Sequence, residues 1–498
     1  MTAKIVMFGL DGADPAFMDR LIEAGELPAF KRLRARAAVH AIENDAAQGA
    51  AQFWNSASIG AGPGHHGHHF YMHFKPDTYD IIPNHESSLP DITPFWNRLD
   101  EEGYRVAVVD WHRMMPKPLK HGHLVDNWLG HDPLTDTIWM PPSLAEEGKK
   151  YFQGDSIGGG FELRPRKTAD DINAYLTDLF NRIKAKTAFC CDQLRAREWD
   201  LFIACFSDAH DVGHHVYHLE DETHAEYDPA LADKVRKPLT ESYRRIDQAV
   251  GEILDAAGGD AKVFVYGGPG MGRLVSANGA LDEMLRRIDW GVDAPPTVAE
   301  TARKSFHSLV PLNLRRRFAP LVRALRRKVA INDFARRRFF AVPHNDNSGA
   351  VRLNVKGREK YGTIEPGADY DAVIEEITKA VMTFKNAETG QPIVARTVPA
   401  RAAFPGPHAE VLPDLFVEWN RADAPGKFRK IVSDIYGEID LEPVGRTGDH
   451  SPYGFFWAPP DAPGDGVTLP EHITVPVMEA VRANAPSMSH PAASQAAE

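Results

Sequence analysis

Short apolar runs, each bounded by polar or turn residues, punctuate the chain. They are KIVMFGL (Lys4 to Leu10), YRVAVVDW (Tyr104 to Trp111), DLFIACFS (Asp200 to Ser207), AKVFVYG (Ala261 to Gly267), DLFVEW (Asp414 to Trp419) and YGFFWAP (Tyr453 to Pro459). Continuous apolar runs of this length read as buried strands. Between them lie longer stretches with apolar residues at helical spacing: PAFMDRLIEAG, DINAYLTDLFNRIKAKTAFCCDQLR and TESYRRIDQAVGEILDAAG. Strands alternating with helices predict an α/β fold with a mostly parallel central sheet flanked by helices. In such sheets ligands collect beyond the carboxyl ends of the strands. Asp11, Asp208 and the glycine turn GGPGMG all follow predicted strands, so all fall on that side.

The glycine turn, within VFVYGGPGMGRL, is not a phosphate loop. A P-loop needs Lys and Ser/Thr after its last glycine, and here Gly272 is followed by Arg273 and Leu274. The dinucleotide fingerprint Gly-x-Gly-x-x-Gly also fails, since from Gly268 its third glycine would fall at Arg273.

Composition narrows the class. The 498 residues are 43% hydrophobic and 25% charged, enough for one large domain or a few smaller ones. A net charge of −12 argues against general nucleic-acid binding. Cys190, Cys191 and Cys205 fit neither a disulfide framework nor a zinc ribbon. The opening MTAKIVMFGLDGADP reaches an aspartate too soon for a signal peptide, and no run approaches the roughly 18 apolar residues of a membrane span. The expectation is a soluble, cytoplasmic protein.

One stretch stands apart. Arg303 to Arg338 holds 12 Lys/Arg against one acid, Asp333. It reads either as a solvated amphipathic insertion or as a surface for an anionic partner such as phospholipid, a polyanion or an acidic subunit.

Candidate chemistry concentrates in SDAHDVGHHVYHLEDETH, Ser207 to His224. Asp208, His210, Asp211, His214, His215 and His218 crowd just past a strand. His210 and His214 are four apart and share a helix face, so they can chelate one metal. Imidazole with carboxylate suits zinc or a related divalent ion. His450, in GRTGDHSPYG, matters only as a distant third ligand. GAGPGHHGHHFYMH, with His65, His66, His68, His69 and His73, reads as a flexible polar turn.

FGLDGADPAFMDRLIEAGELPAFKRL, GPGHHG, the Asp/His cluster, GMG and GDHSPYG occur in this order. Together they resemble the type I phosphodiesterase/nucleotide pyrophosphatase branch of the alkaline phosphatase superfamily, from about Lys4 to about Pro459. The resemblance implies an alkaline-phosphatase-like domain over 1–482, with inserted cap segments at about 75–170; the basic stretch reads as an insertion at about 300–340, and the composition of 483–498 predicts a disordered tail. It implies two divalent metals above the sheet, one of which activates a Thr or Ser nucleophile. Asp11 matches the first metal-binding aspartate. The nucleophile position falls on Ala50, and an Asp-His ligand pair falls on Gly268 and Pro269. At the other metal position the resemblance implies Asp208 or His210, then His214 and His450.

Three readings follow. The chain is a hydrolase of small anionic phosphate or sulfate esters with one divalent ion, zinc by its donor set; or it is a non-catalytic member that kept the fold for binding or scaffolding; or its nucleophile is Ser56 or Ser58. Arg352 and Arg358 are candidates for meeting an anionic group, or are structural ion pairs.

Overall fold

The computed structural model describes residues 3–43, 50–83, 93–112, 117–129, 136–153, 168–293, 333–422, 428–441, 445–462, 464 and 466–484. The chain divides into two compact units. The first comprises 1–62, 90–274 and 445–498, and the second 63–89 and 275–444.

The first unit is built on an eight-stranded sheet. Its spatial order is Ala38–Glu43, Tyr453–Ala458, Lys262–Gly267, Ala3–Leu10, Trp199–Phe206, Val106–Val109, His123–Asp126 and Ile138–Met140. The five strands from Lys262–Gly267 to His123–Asp126 pair in parallel. The outer strands at both ends pair antiparallel with their inner neighbours. Ala3–Leu10 shows why the interior strands read as continuous apolar runs. Val6, Phe8 and Leu10 enter one core, while Ile5 and Met7 enter the other. Side chains alternate faces along a strand, so a strand covered by helices on both sides is apolar throughout. Helices Ala169–Ala196 and Pro238–Ala257 bury one face, and Ala50–Ile59 and Thr474–Asn484 the other. Thr168 caps the 28-residue Ala169–Ala196 helix by accepting from the Asp171 N–H at 3.2 Å.

Several expectations shift. DLFVEW is a strand, Leu415–Trp419, but it lies in a four-stranded antiparallel sheet of the second unit. Within the range about 75–170, three segments are strands of the central sheet. Of the basic segment 303–338, residues 303–332 lie outside the described residues. Its end is anchored by ion pairs within the second unit: Arg337 to Asp282 at 2.8 Å, and Arg338 to Asp289 at 2.8 Å and Glu376 at 2.6 Å. Of the tail, 485–498 also lies outside, and Ala483 and Asn484 close a helix. Among the described residues no helix is long and apolar enough to cross a membrane.

The GPGHHGHHFYMH stretch is the clearest correction. It is packed, not a flexible turn. His66, His68, His69 and His73 are buried in the second unit, and only His65 is exposed. Pro63–His66 forms a short helical turn pinned by Gly64, whose carbonyl accepts the His408 N–H at 2.8 Å. The rings of His69 and His344 lie 6.1 Å apart. Burial, reinforced by neighbouring imidazoles, pushes His66 down to about 3. Burial and then Arg352 push His73 down to about 4, and burial holds His69 well below its usual range.

These rings bind protons more weakly folded than unfolded. Their contribution is complete above about pH 6.5 and is lost as pH falls toward 4, because the unfolded chain takes up protons first. The urea midpoint of the second unit, followed by hydrogen exchange in 63–83, should therefore drop across that window, and H73Q should flatten part of the slope. A midpoint that is constant from pH 7 to 4 would contradict this.

Candidate metal centre

The centre of the site is a three-histidine group. Strand Trp199–Phe206 ends at Ser207, and the Asp208–Val216 helix begins immediately. On that helix His210 and His214 sit one turn apart on a common face. His450 arrives from the short strand Gly448–Ser451, which pairs antiparallel with Gly270–Arg273 and sets Met271 opposite His450. His210 Nε2 lies 3.0 Å from His214 Nε2 and 3.1 Å from His450 Nε2. All three residues are buried, and one donor atom from each falls within 4.8 Å of the others.

Two tight approaches permit this meeting. A Cβ on Gly448 would stand 2.3 Å from the Gly213 carbonyl oxygen, and one on Gly213 would stand 2.4 Å from Met271 Cγ. Glycine at 448 lets its strand reach the helix backbone, and glycine at 213 makes room for Met271 of the paired strand. The Asp11–Gly12 turn approaches from the other side, with Gly12 at φ +69° and a Cβ direction that runs into His210 Cα at 2.5 Å.

Outward hydrogen bonds orient the rings. His214 Nδ1 donates to the Gly448 carbonyl at 2.9 Å, and His210 Nδ1 faces Asp211 Oδ1 at 3.5 Å. Holding one ring nitrogen outward leaves the other as the inward donor. Burial, then Arg446 and the other two imidazoles, keeps His214 well below its usual range and so neutral. Neutral imidazole is the form that binds a metal. With Zn–N near 2.0–2.1 Å, tetrahedral donors stand about 3.3 Å apart. The two edges from His210, at 3.0 and 3.1 Å, fall a few tenths of an ångström short of that, and with all three donors within 4.8 Å the donor chemistry and spacing fit a zinc-like ion.

Asp208 does not join this group. Its carboxyl is buried and pushed up to about 6 by that burial, with Lys186 and Arg182 pulling it down. Lys186 itself is paired with Asp110 at 2.8 Å. Asp11 lies apart from the trio. It accepts from Trp54 Nε1 at 3.0 Å, and its second oxygen is 3.6 Å from His112 Nε2. His112 escaped the sequence reading. Its ring centroid is 6.2 Å from that of His210. The signal that would have found it is the rule applied to Asp11 and Asp208, since His112 follows the YRVAVVDW strand at its carboxyl end.

Ala50 opens the Ala50–Ile59 helix. Gly268 stands at φ +138°, and a Cβ there would meet Phe53 Cζ at 2.6 Å. That space is taken by the Phe53 ring, which stacks on Tyr266 at 5.1 Å. Ser58 is committed to packing: its hydroxyl donates to the Trp54 carbonyl at 2.6 Å and accepts from Trp111 Nε1 at 2.8 Å. Ser56 is fully buried. Arg352 and Arg358 form buried ion pairs with Glu359 and Asp414 in the second unit, at 2.7 Å each.

Comparison with known proteins assigns the class. The family model described as type I phosphodiesterase / nucleotide pyrophosphatase matches residues 5–422, so the chain belongs to that family, within the alkaline phosphatase superfamily. Among solved structures, the fold is similar to phosphonoacetate hydrolase from Sinorhizobium meliloti 1021, in complex with phosphonoformate and with phosphonoacetate. Each superposes with a TM-score of 0.53 at 15% identity, covering 97% of this chain and 96% of that one. No curated protein matches the sequence.

The glycine contact gives a direct test. G448V drives a branched side chain into the Gly213 carbonyl and should cost about 1–3 kcal/mol in urea unfolding, as overpacking does. G272A, whose Cβ would meet only Ser451 Cβ at 3.9 Å, should change stability little.

Proposed function

We propose that the chain is a metal-dependent hydrolase of small anionic phosphate or sulfate esters, working with one divalent ion held by His210, His214 and His450. The observation that carries this reading is the convergence of three buried imidazole donors within 4.8 Å. Three protein ligands with a fourth position open is the pattern of catalytic zinc. When bound there, zinc supplies a Lewis acid that polarises an ester oxygen and acidifies water. The chain's own residues keep His214 neutral and hold its Nδ1 outward on the Gly448 carbonyl. Asp11 stands apart from the trio, accepting from Trp54 Nε1 and facing His112. In the family register the nucleophile position is Ala50, so water takes the place of a side-chain nucleophile. The same register puts Gly268 and Pro269 where a second ion's Asp-His pair would stand, which supports one ion and not two. The basic segment 303–338 is proposed to meet an anionic partner, and the protein to be cytoplasmic.

A second reading has an observation of its own. The Phe53 ring fills the space beside Gly268, so a carboxylate could not return there without displacing an aromatic stack. A packed-over second position also suits a member that kept the fold for binding or scaffolding, without catalysis.

Metal content separates the two. The first reading expects about one zinc per purified chain, turnover of aryl phosphate mono- or diesters or sulfate esters, and loss of both in H214A. No metal in the wild-type protein would favour the second. Two ions per chain would overturn the single-site assignment.

A further inference from the structure

His218 and His224 belong to the same dense run as His210 and His214, yet neither joins the trio. Both are buried, at 8% and 4% exposure, with ring centroids 6.0 Å apart. Both converge on one residue, Thr447, three positions before His450. The Thr447 hydroxyl meets His218 Nδ1 at 3.0 Å. Its carbonyl accepts from His224 Nε2 at 3.2 Å and from the Leu274 N–H at 3.1 Å. Its own N–H donates to the His214 carbonyl at 2.9 Å. His224 is held in one tautomer, because its Nδ1 accepts the Glu226 N–H at 3.0 Å and leaves Nε2 to carry the proton. Each polar group of Thr447 is thus engaged, by the 208–224 segment on one side and by the chain leaving Gly270–Arg273 on the other. The next residue, Gly448, takes the His214 Nδ1 bond, and the one after that, Asp449, leads directly into His450.

We propose that Thr447, clasped by His218 and His224, is a positioning residue that fixes His450 against His210 and His214. This rests on the metal-site reading above. The reasoning is geometric. His450 stands 240 residues from His210 in sequence, on a strand of four residues that cannot locate itself by sheet pairing alone. Partners that orient a ligand typically account for ten- to a hundredfold in metal affinity. The two extra histidines of the run therefore act on the ligand strand through Thr447, not on the ion.

The test uses the full chain with T447V, which removes the hydroxyl at nearly constant volume, and T447S, which retains it. Two readouts are needed: amide exchange of residues 447–451 in metal-free protein, and cobalt(II) affinity with its visible spectrum. T447V should exchange about tenfold faster at 448–451, bind cobalt(II) about ten- to a hundredfold more weakly and shift its visible bands; T447S should restore both. An unchanged affinity and spectrum in T447V would overturn the clasp. Should the wild-type protein take up no cobalt(II), the metal reading fails by itself. The clasp then stands or falls on exchange, with wild-type rates in T447V counting against it. Should T447V lose its cooperative unfolding transition, H218Q carries the same two measurements and the same outcomes.

Discussion

The contact between the Gly448–Ser451 strand and the Asp208–Val216 helix is the constraint on which the site depends. A strand approaches a helix backbone this closely only where it carries no side chain in the gap: Gly448 lies against the Gly213 carbonyl, while Gly213 leaves room for Met271 of the neighbouring Gly270–Arg273 strand. The shared hydrogen bonds follow from it: Thr447 N–H to the His214 carbonyl, and His214 Nδ1 to the Gly448 carbonyl. Once that seam is closed, His450 has little freedom except to stack on His210 at 4.8 Å. The three donors are thus brought together by backbone packing, before any ion contributes.

The surroundings of the trio are polar, yet they are not a loose collection of charges. Lys186 and Asp110 compensate each other in the buried layer beneath, and Arg182 lies 4.0 Å from Asp211. Paired in this way, buried charges cost far less than isolated ones. Burial raises both Asp208 and Asp211 to about 6, while the same burial lowers His214. Each shift disfavours charge, so the low-dielectric pocket favours neutral donors for an incoming cation.

The second unit shows the same physics without a gathered ligand set. His66, His69 and His73 are buried there and held below their usual range, but among the described residues only His210, His214 and His450 bring donor atoms close enough to share an ion. His66 accepts the His68 N–H and His69 faces His344, so these rings serve packing and hydrogen bonding. Density of histidine in sequence is therefore a poor guide to a metal site. What separates the two runs is direction: a helix sets His210 and His214 on one face, while GPGHHGHHFYMH turns through a short helix into a strand and spreads its rings.

Local pattern determined much of this. The apolar runs are strands because alternating side chains buried on both faces must all be apolar. The four-residue step from His210 to His214 holds because helical periodicity is a local property. The ordered motifs pointed to the family for the same reason, since each motif is contiguous. Tertiary structure decided the rest. It put Leu415–Trp419 in a separate sheet, buried the GPGHHG histidines, left Asp208 beside Lys186 while His210 joined the trio, and set His112 against Asp11. It also filled the space at Gly268 with the Phe53 ring and placed His218 and His224 on Thr447. Such pairings join residues tens to hundreds of positions apart, and they are set by which backbones can approach closely. A one-dimensional pattern carries spacing along the chain, but it does not carry the steric gaps across it.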